Sequence, residues 1–250
     1  MRLLQNLLLV TCVSVLGGCI TETSGGLPGP AAAEDRVSAH LDVARGYLDQ
    51  RDWTRAKKPL ERALAIDSRN VEAHVLSGVL YAAEGEDELA ESHYRRALQY
   101  APRNAQALNN FAAFLYRQRR YEEALQPLSE LVKDTSYRAR PLVFESLGLT
   151  HLQLGDKEAA RGAFTRALQL NNRLPRSNLE MAELALADGN VALAQTQFDF
   201  YNRLARPTAR STCLGLRLSV RQNDADNVAR YQLALKNLFP EAADQCQIRD

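Results

Sequence analysis

Residues 71–104, VEAHVLSGVLYAAEGEDELAESHYRRALQYAPRN, decide how the rest of the chain is read. Small residues stand at Gly78 and Ala90. Tyr81 follows the first by three positions and Tyr94 follows the second by four. Each large ring therefore shares a helical face with a small residue. Gly85-Glu86-Asp87 is a turn signal between the two runs, and Pro102 stops the second. Two antiparallel helices approach closely only where side chains are small, and large side chains then fill the space between pairs. The stretch predicts a tight helical hairpin.

The same spacing recurs along the chain. One small-residue series runs Ala44, Gly78, Ala112, Gly148, Ala182, Gly215, at intervals of 34, 34, 36, 34 and 33. A second runs Ala56, Ala90, Ala124, Ala160, Ala194, Ala229, at 34, 34, 36, 34 and 35. Two series in step mark an internal repeat. Large residues keep pace: Tyr47, Tyr81 and Leu115 in first helices, Leu60, Tyr94, Leu128, Phe164 and Phe198 in second helices. Turn signals recur at Gly155-Asp156 and Asp188-Gly189-Asn190. The units are 37–70, 71–104, 105–140, 141–174, 175–207 and 208–243. The third holds two extra residues near Arg138–Arg140. The sixth, with the turn RQNDADN (221–227), is the least regular. A short helix is expected after Pro240 and a tail over 244–250.

This pattern resembles the tetratricopeptide repeat over residues 37 to about 243. The resemblance implies an all-α fold, a superhelix of six repeats (an α-α solenoid) with twelve main helices. Hairpins then stack in a right-handed spiral whose concave face is lined by first helices.

The N-terminus carries a different signal. Arg2 precedes a mostly apolar stretch, Leu3–Leu16, followed by Gly17, Gly18 and Cys19. About 14 residues fall short of the ~20 that span a bilayer, so a signal peptide over 1–18 is expected. Leu16-Gly17-Gly18-Cys19 resembles the bacterial lipobox, with Gly17 where Ala or Ser is commoner. The resemblance implies that Cys19 becomes an acylated first residue, and several chains on one residue anchor stably. Ile20, rather than Asp, follows it, which by the same resemblance implies the outer membrane facing the periplasm. Residues 19–36, rich in small and polar residues with Pro and Gly, are expected to form a lipidated, flexible tether. Cys12 falls in the removed signal, which leaves Cys213 and Cys246 as the remaining cysteines. In an oxidising periplasm they are expected to form a disulfide closing about 33 residues. Two free buried thiols are the alternative.

Lys plus Arg total 31 against 30 for Asp plus Glu, a formal charge of +1, so there is no basic excess pointing to nucleic acid. With 46% hydrophobic and 24% charged residues the composition is that of an ordinary globular chain. His40 and His74 fill the same slot in successive repeats. His151 fills another such slot, and His93 stands beside Tyr94; all four read as packing or surface residues. No Cys or His pair has zinc spacing, and no phosphate loop, dinucleotide fingerprint or nucleophile elbow occurs. No enzyme, cofactor, metal or small-molecule substrate is expected.

A binding groove is expected where first helices of the early repeats offer an apolar strip: Leu41, Leu48, Val75, Leu76, Val79 and Ala82. Later repeats offer a mixed stripe of Asn109, Asn110, Tyr116, Arg117, Glu145, Glu180 and Glu183. No lysine joins the asparagines, which argues against a chaperone-type carboxylate clamp. A lipobox, a tether, six such repeats and a late cysteine pair together resemble the PilF/PilW family of type IV pilus biogenesis and stability lipoproteins. That resemblance implies a pilotin, which localises the pilus secretin and promotes its multimerisation, with Cys19 as anchor and the early groove as the secretin contact. The other class in view is a repeat lipoprotein scaffold for cell-wall enzymes or outer-membrane protein assembly.

Overall fold

The computed structural model describes residues 30–243 and Cys246, and every regular element among them is helical. α1 (Pro30–Asp49) pairs with α2 (Trp53–Ile66), α3 (Val71–Glu84) with α4 (Asp87–Tyr100), and α5 (Ala105–Arg117) with α6 (Tyr121–Leu131). α7 (Arg140–Gln153) pairs with α8 (Lys157–Leu170), α9 (Pro175–Ala187) with α10 (Val191–Leu204), and α11 (Ala209–Arg221) with α12 (Ala225–Leu238). A single turn, α13 (Pro240–Ala243), follows. Each hairpin packs on the next, and first helices also touch directly, α1 on α3, α3 on α5 and α9 on α11. The fold is therefore the expected all-α solenoid of six hairpins.

Local chemistry starts and stops these helices. Asp52, Asn70, Asn104, Asp156, Asn190, Thr208 and Asp224 each accept the backbone N–H three residues on, satisfying a donor the first turn leaves open. Thr208 and Ser211 do so reciprocally as a capping box. Within every hairpin the connection passes through one left-handed residue: Arg51, Gly85, Arg119, Gly155, Gly189 and Asn223, with φ between 57° and 82°. Only glycine meets that conformation without a steric cost.

The small-residue series explains the seam. Gly78 lies against the ring of the fully buried Tyr94, and Gly148 against Phe164. Ala44, Ala56, Ala90, Ala160, Ala182 and Ala194 have no exposed surface. Two details depart from the sequence reading. Ala229 is exposed, and Val228, whose N–H donates to the carbonyl of the cap Asp224, takes the slot that Ala194 takes after Asn190. The expected tether over 19–36 is helical from Pro30 on, where α1 begins, and residues 19–29 lie outside the described residues. Pro30 suits a first helical position and Ala31-Ala32-Ala33-Glu34 are strong helix formers, which outweighed the loop-like composition before them. Cys19 and residues 244–245 and 247–250 lie outside the described residues.

Candidate functional site

The six residues expected to line an early groove are placed otherwise. Leu41, Leu48 and Leu76 belong to the core formed by α1, α2 and α3, and Val75 packs against Ala97 and Ala107 with no exposure. Val79 and Ala82 are half-buried against the cluster around Tyr94 and Phe111. The strip is a seam of the hairpin stack. α3 contacts α4 on one side, with α2, α1 and α5 around the rest, so its apolar residues are covered on most sides.

The open concavity lies further along, from repeat three to the first helix of repeat six. One cavity of about 240 Å³ is lined by α5, α6, α7 and α9 residues, with Ala112, Ala113, Tyr116, Leu128 and Leu149 forming an apolar floor. Asn109, Arg117 and Arg176 stand among its polar groups. A second cavity, of about 470 Å³, shares Leu149 and Arg176 with the first and continues past Leu152, Glu180 and Glu183 to Arg210 and Arg217. The mixed stripe read from the sequence thus contributes Asn109, Tyr116, Arg117, Glu180 and Glu183 to two adjoining cavities along the first helices. Ala113, Leu149, Arg176, Arg210 and Arg217 were missed. They follow from the repeat register, since each sits on a first helix at a groove-facing turn.

Charges in the groove are unevenly paired. Arg210 donates both terminal nitrogens to the buried carboxylate of Glu180 at 2.7 Å and also reaches Glu183 at 2.9 and 2.8 Å. These fork contacts cross from α11 to α9 and hold the guanidinium charged, pushing its pKa up. Glu145 turns into the neighbouring repeat, accepting the Ser177 N–H at 3.0 Å and its hydroxyl at 2.6 Å. Among the described residues neither Arg117 nor Arg176 pairs with a carboxylate. Burial pushes the Tyr116 phenol up, and the charge of Arg176, which lines the same cavity, pulls it the other way.

A second polar cluster sits in repeat two. His74 Nε2 donates to the Ser68 carbonyl at 3.1 Å, which leaves its Nδ1 to accept from His93 Nδ1 at 3.0 Å. The His93 ring stacks on Tyr81, and His74 packs on Tyr100. Burial, then the neighbouring His74, lowers the His93 pKa to about 4. Among the described residues no group of three or more His, Cys, Asp or Glu could hold a metal, and no helix is long and apolar enough to cross a membrane. At the far end Cys213 on α11 is bonded to Cys246, with Cα atoms 5.6 Å apart, closing a 33-residue loop.

Stacked helical hairpins with a first-helix groove define a tetratricopeptide-repeat protein, and family models described as tetratricopeptide repeat match residues 41–99, 93–126 and 145–199. The type IV pilus assembly protein PilF of Pseudomonas aeruginosa is 38% identical over 226 residues, 90% of each chain. A solved structure of Pseudomonas aeruginosa PilF superposes with a TM-score of 0.80, covering 85% of this chain and 97% of that one. A crystal structure of PilW, described as a widely conserved type IV pilus biogenesis factor, shares the fold at a TM-score of 0.72 and 22% identity, covering 84% of this chain and 97% of that one. The chain belongs to the PilF/PilW family of type IV pilus biogenesis proteins built from tetratricopeptide repeats.

Proposed function

We propose that the chain is an outer-membrane-anchored periplasmic scaffold, a pilotin, that localises the type IV pilus secretin and promotes its multimerisation, as pilus assembly and twitching motility require. The observation carrying this reading is the 38% identity with a type IV pilus assembly protein over 90% of both chains, a match that spans the repeat array and not one hairpin. The lipobox-like Cys19 stands eleven residues before Pro30, close enough for an acyl anchor to hold the solenoid beside a membrane. The bonded pair Cys213–Cys246 suits an oxidising compartment. The mechanism is affinity plus tethering. A scaffold confined to one leaflet raises the local concentration of the subunits it holds, and assembly follows without any chemical step.

The test removes the protein from a piliated host and scores monomeric against multimeric secretin together with twitching. Loss of multimers, restored by the parent chain and only weakly by Cys19→Ala, is the expected result. Secretin multimers unchanged by the deletion sink the pilotin reading.

A further inference from the structure

We propose that the groove of repeats three to five docks an extended, acidic protein segment carrying one bulky apolar side chain between its carboxylates. This rests on the scaffold reading and specifies what the scaffold holds. The first cavity, at about 240 Å³, is smaller than the pockets that enclose whole small-molecule ligands and matches one large side chain. Its floor is apolar, so the group that fills it is apolar. Its rim is cationic: Arg117 and Arg176 are both exposed, and neither has a carboxylate partner among the described residues. The acids that could neutralise them are engaged elsewhere, Glu145 by Ser177 and Glu180 with Glu183 by Arg210. Carboxylates flanking an apolar anchor therefore meet two guanidiniums without displacing an existing pair. Asn109, on the same rim, supplies an amide for the segment's backbone. The two cavities meet at Leu149 and Arg176 and run on from repeat to repeat, which suits a segment laid along the groove.

The probe is a fluorescein-labelled peptide, Gly-Asp-Glu-Phe-Glu-Asp-Gly, blocked at both ends and titrated by anisotropy into the full-length chain in detergent. Binding is expected, weakening as salt is raised because exposed charges carry part of it. Replacing the peptide's Phe by Ser, or its acids by Asn and Gln, lowers affinity about tenfold each, the scale of one lost charge-assisted contact or buried side chain. On the protein, Arg117→Glu with Arg176→Glu lowers it about as much. Ala113→Trp, at an exposed position of the cavity lining, blocks it as well. Arg62→Glu, on the exposed face of α2, leaves it unchanged. Absence of binding, equal binding of the acid-free peptide, or groove variants that bind like the parent while keeping its circular dichroism overturn the proposal. The titration contains no secretin, so it fails or succeeds independently of the secretin multimer assay.

Discussion

Gly78 lies so close beneath the Tyr94 ring that a methyl group on its Cα would sit 2.6 Å from the nearest ring carbon. The two residues join α3 to α4. Tyr94 is 2% exposed and packs in turn against Phe111 and Phe114 of the next repeat, so the ring has no room to retreat.

Gly78→Ala should therefore destabilise the protein by about 1–3 kcal/mol through overpacking, against the usual trend for a helix interior. The control is Gly162, on the exposed face of α8, where an added methyl meets nothing within 4 Å. Gly162→Ala should stabilise by about 0.5–1 kcal/mol, the propensity gain alone. Urea unfolding of both variants decides it; changes of the same sign would contradict a tight seam between Gly78 and Tyr94.

The hairpin turns offer a test at the opposite end of the glycine scale. Arg119 holds φ 59° in the position where three other repeats place glycine. A left-handed non-glycine residue costs about 1–2 kcal/mol, part of which glycine returns as unfolded-state entropy. Arg119→Gly should raise stability by about 0.5–1 kcal/mol. Gly155→Ala, at φ 78°, should lower it by about 1 kcal/mol. A destabilised Arg119→Gly would mean that the arginine side chain contributes more than its backbone costs.

The repeat was legible because packing leaves a periodic trace: only small residues fit where α3 meets α4 or α7 meets α8, and they recur at each hairpin. The position of the groove was not. On a helix one step rotates a side chain by about 100°, so seam and groove residues are neighbours in sequence. In α3 the run Ala73-His74-Val75-Leu76-Ser77-Gly78 is buried throughout, which leaves composition nothing with which to separate the two faces. In α5 and α9 the contrast exists, since Asn109, Arg117, Glu180 and Glu183 stand among apolar neighbours, and there the reading reached the groove. Arg176 and Arg210 escaped because an arginine at the start of a first helix looks like any solvent-facing charge. The His74–His93 contact escaped because it joins two helices whose pairing register has to be known first.

That histidine contact makes stability depend on pH. Burial lowers the pKa of both rings, His93 to about 4 with help from its neighbour, from the ordinary 6.5. The folded state thus binds fewer protons than the unfolded chain between these values. The pair's contribution is complete above about pH 6.5 and is lost as pH falls toward 4. One extra proton can be shared across the Nδ1–Nδ1 contact, but a second sets two N–H groups head-on. The urea midpoint should fall between pH 7 and pH 4.5, and His93→Phe should flatten that fall. A profile unchanged by the substitution would remove the pair as the source of that fall; carboxylates such as Glu91, which Arg120 holds below its usual range, lose their contribution only at lower pH, below the ordinary carboxylate value.

The last hairpin depends on its cross-link more than on its core. In α12 only Leu235 is buried, while Leu233 and Leu238 are 60% and 64% exposed. Among the described residues no further hairpin packs on α12, and Tyr231 makes apolar contact with the stack at Gly215 and Phe198. So little buried surface offsets the entropy of ordering fourteen residues poorly. Bonding Cys213 to Cys246 ties α11 to the chain beyond α13 and removes loop-closure entropy from the unfolded state, about 3–4 kcal/mol in the chain-entropy model. Reduction, or Cys213→Ala with Cys246→Ala, should release α12 and α13 first. Hydrogen exchange should then quicken there while α5, α7 and α9 keep their protection, and peptide affinity in the groove of repeats three to five should hold. Protection lost evenly along the solenoid would instead show that the six hairpins unfold as one unit, with the disulfide stabilising all of them.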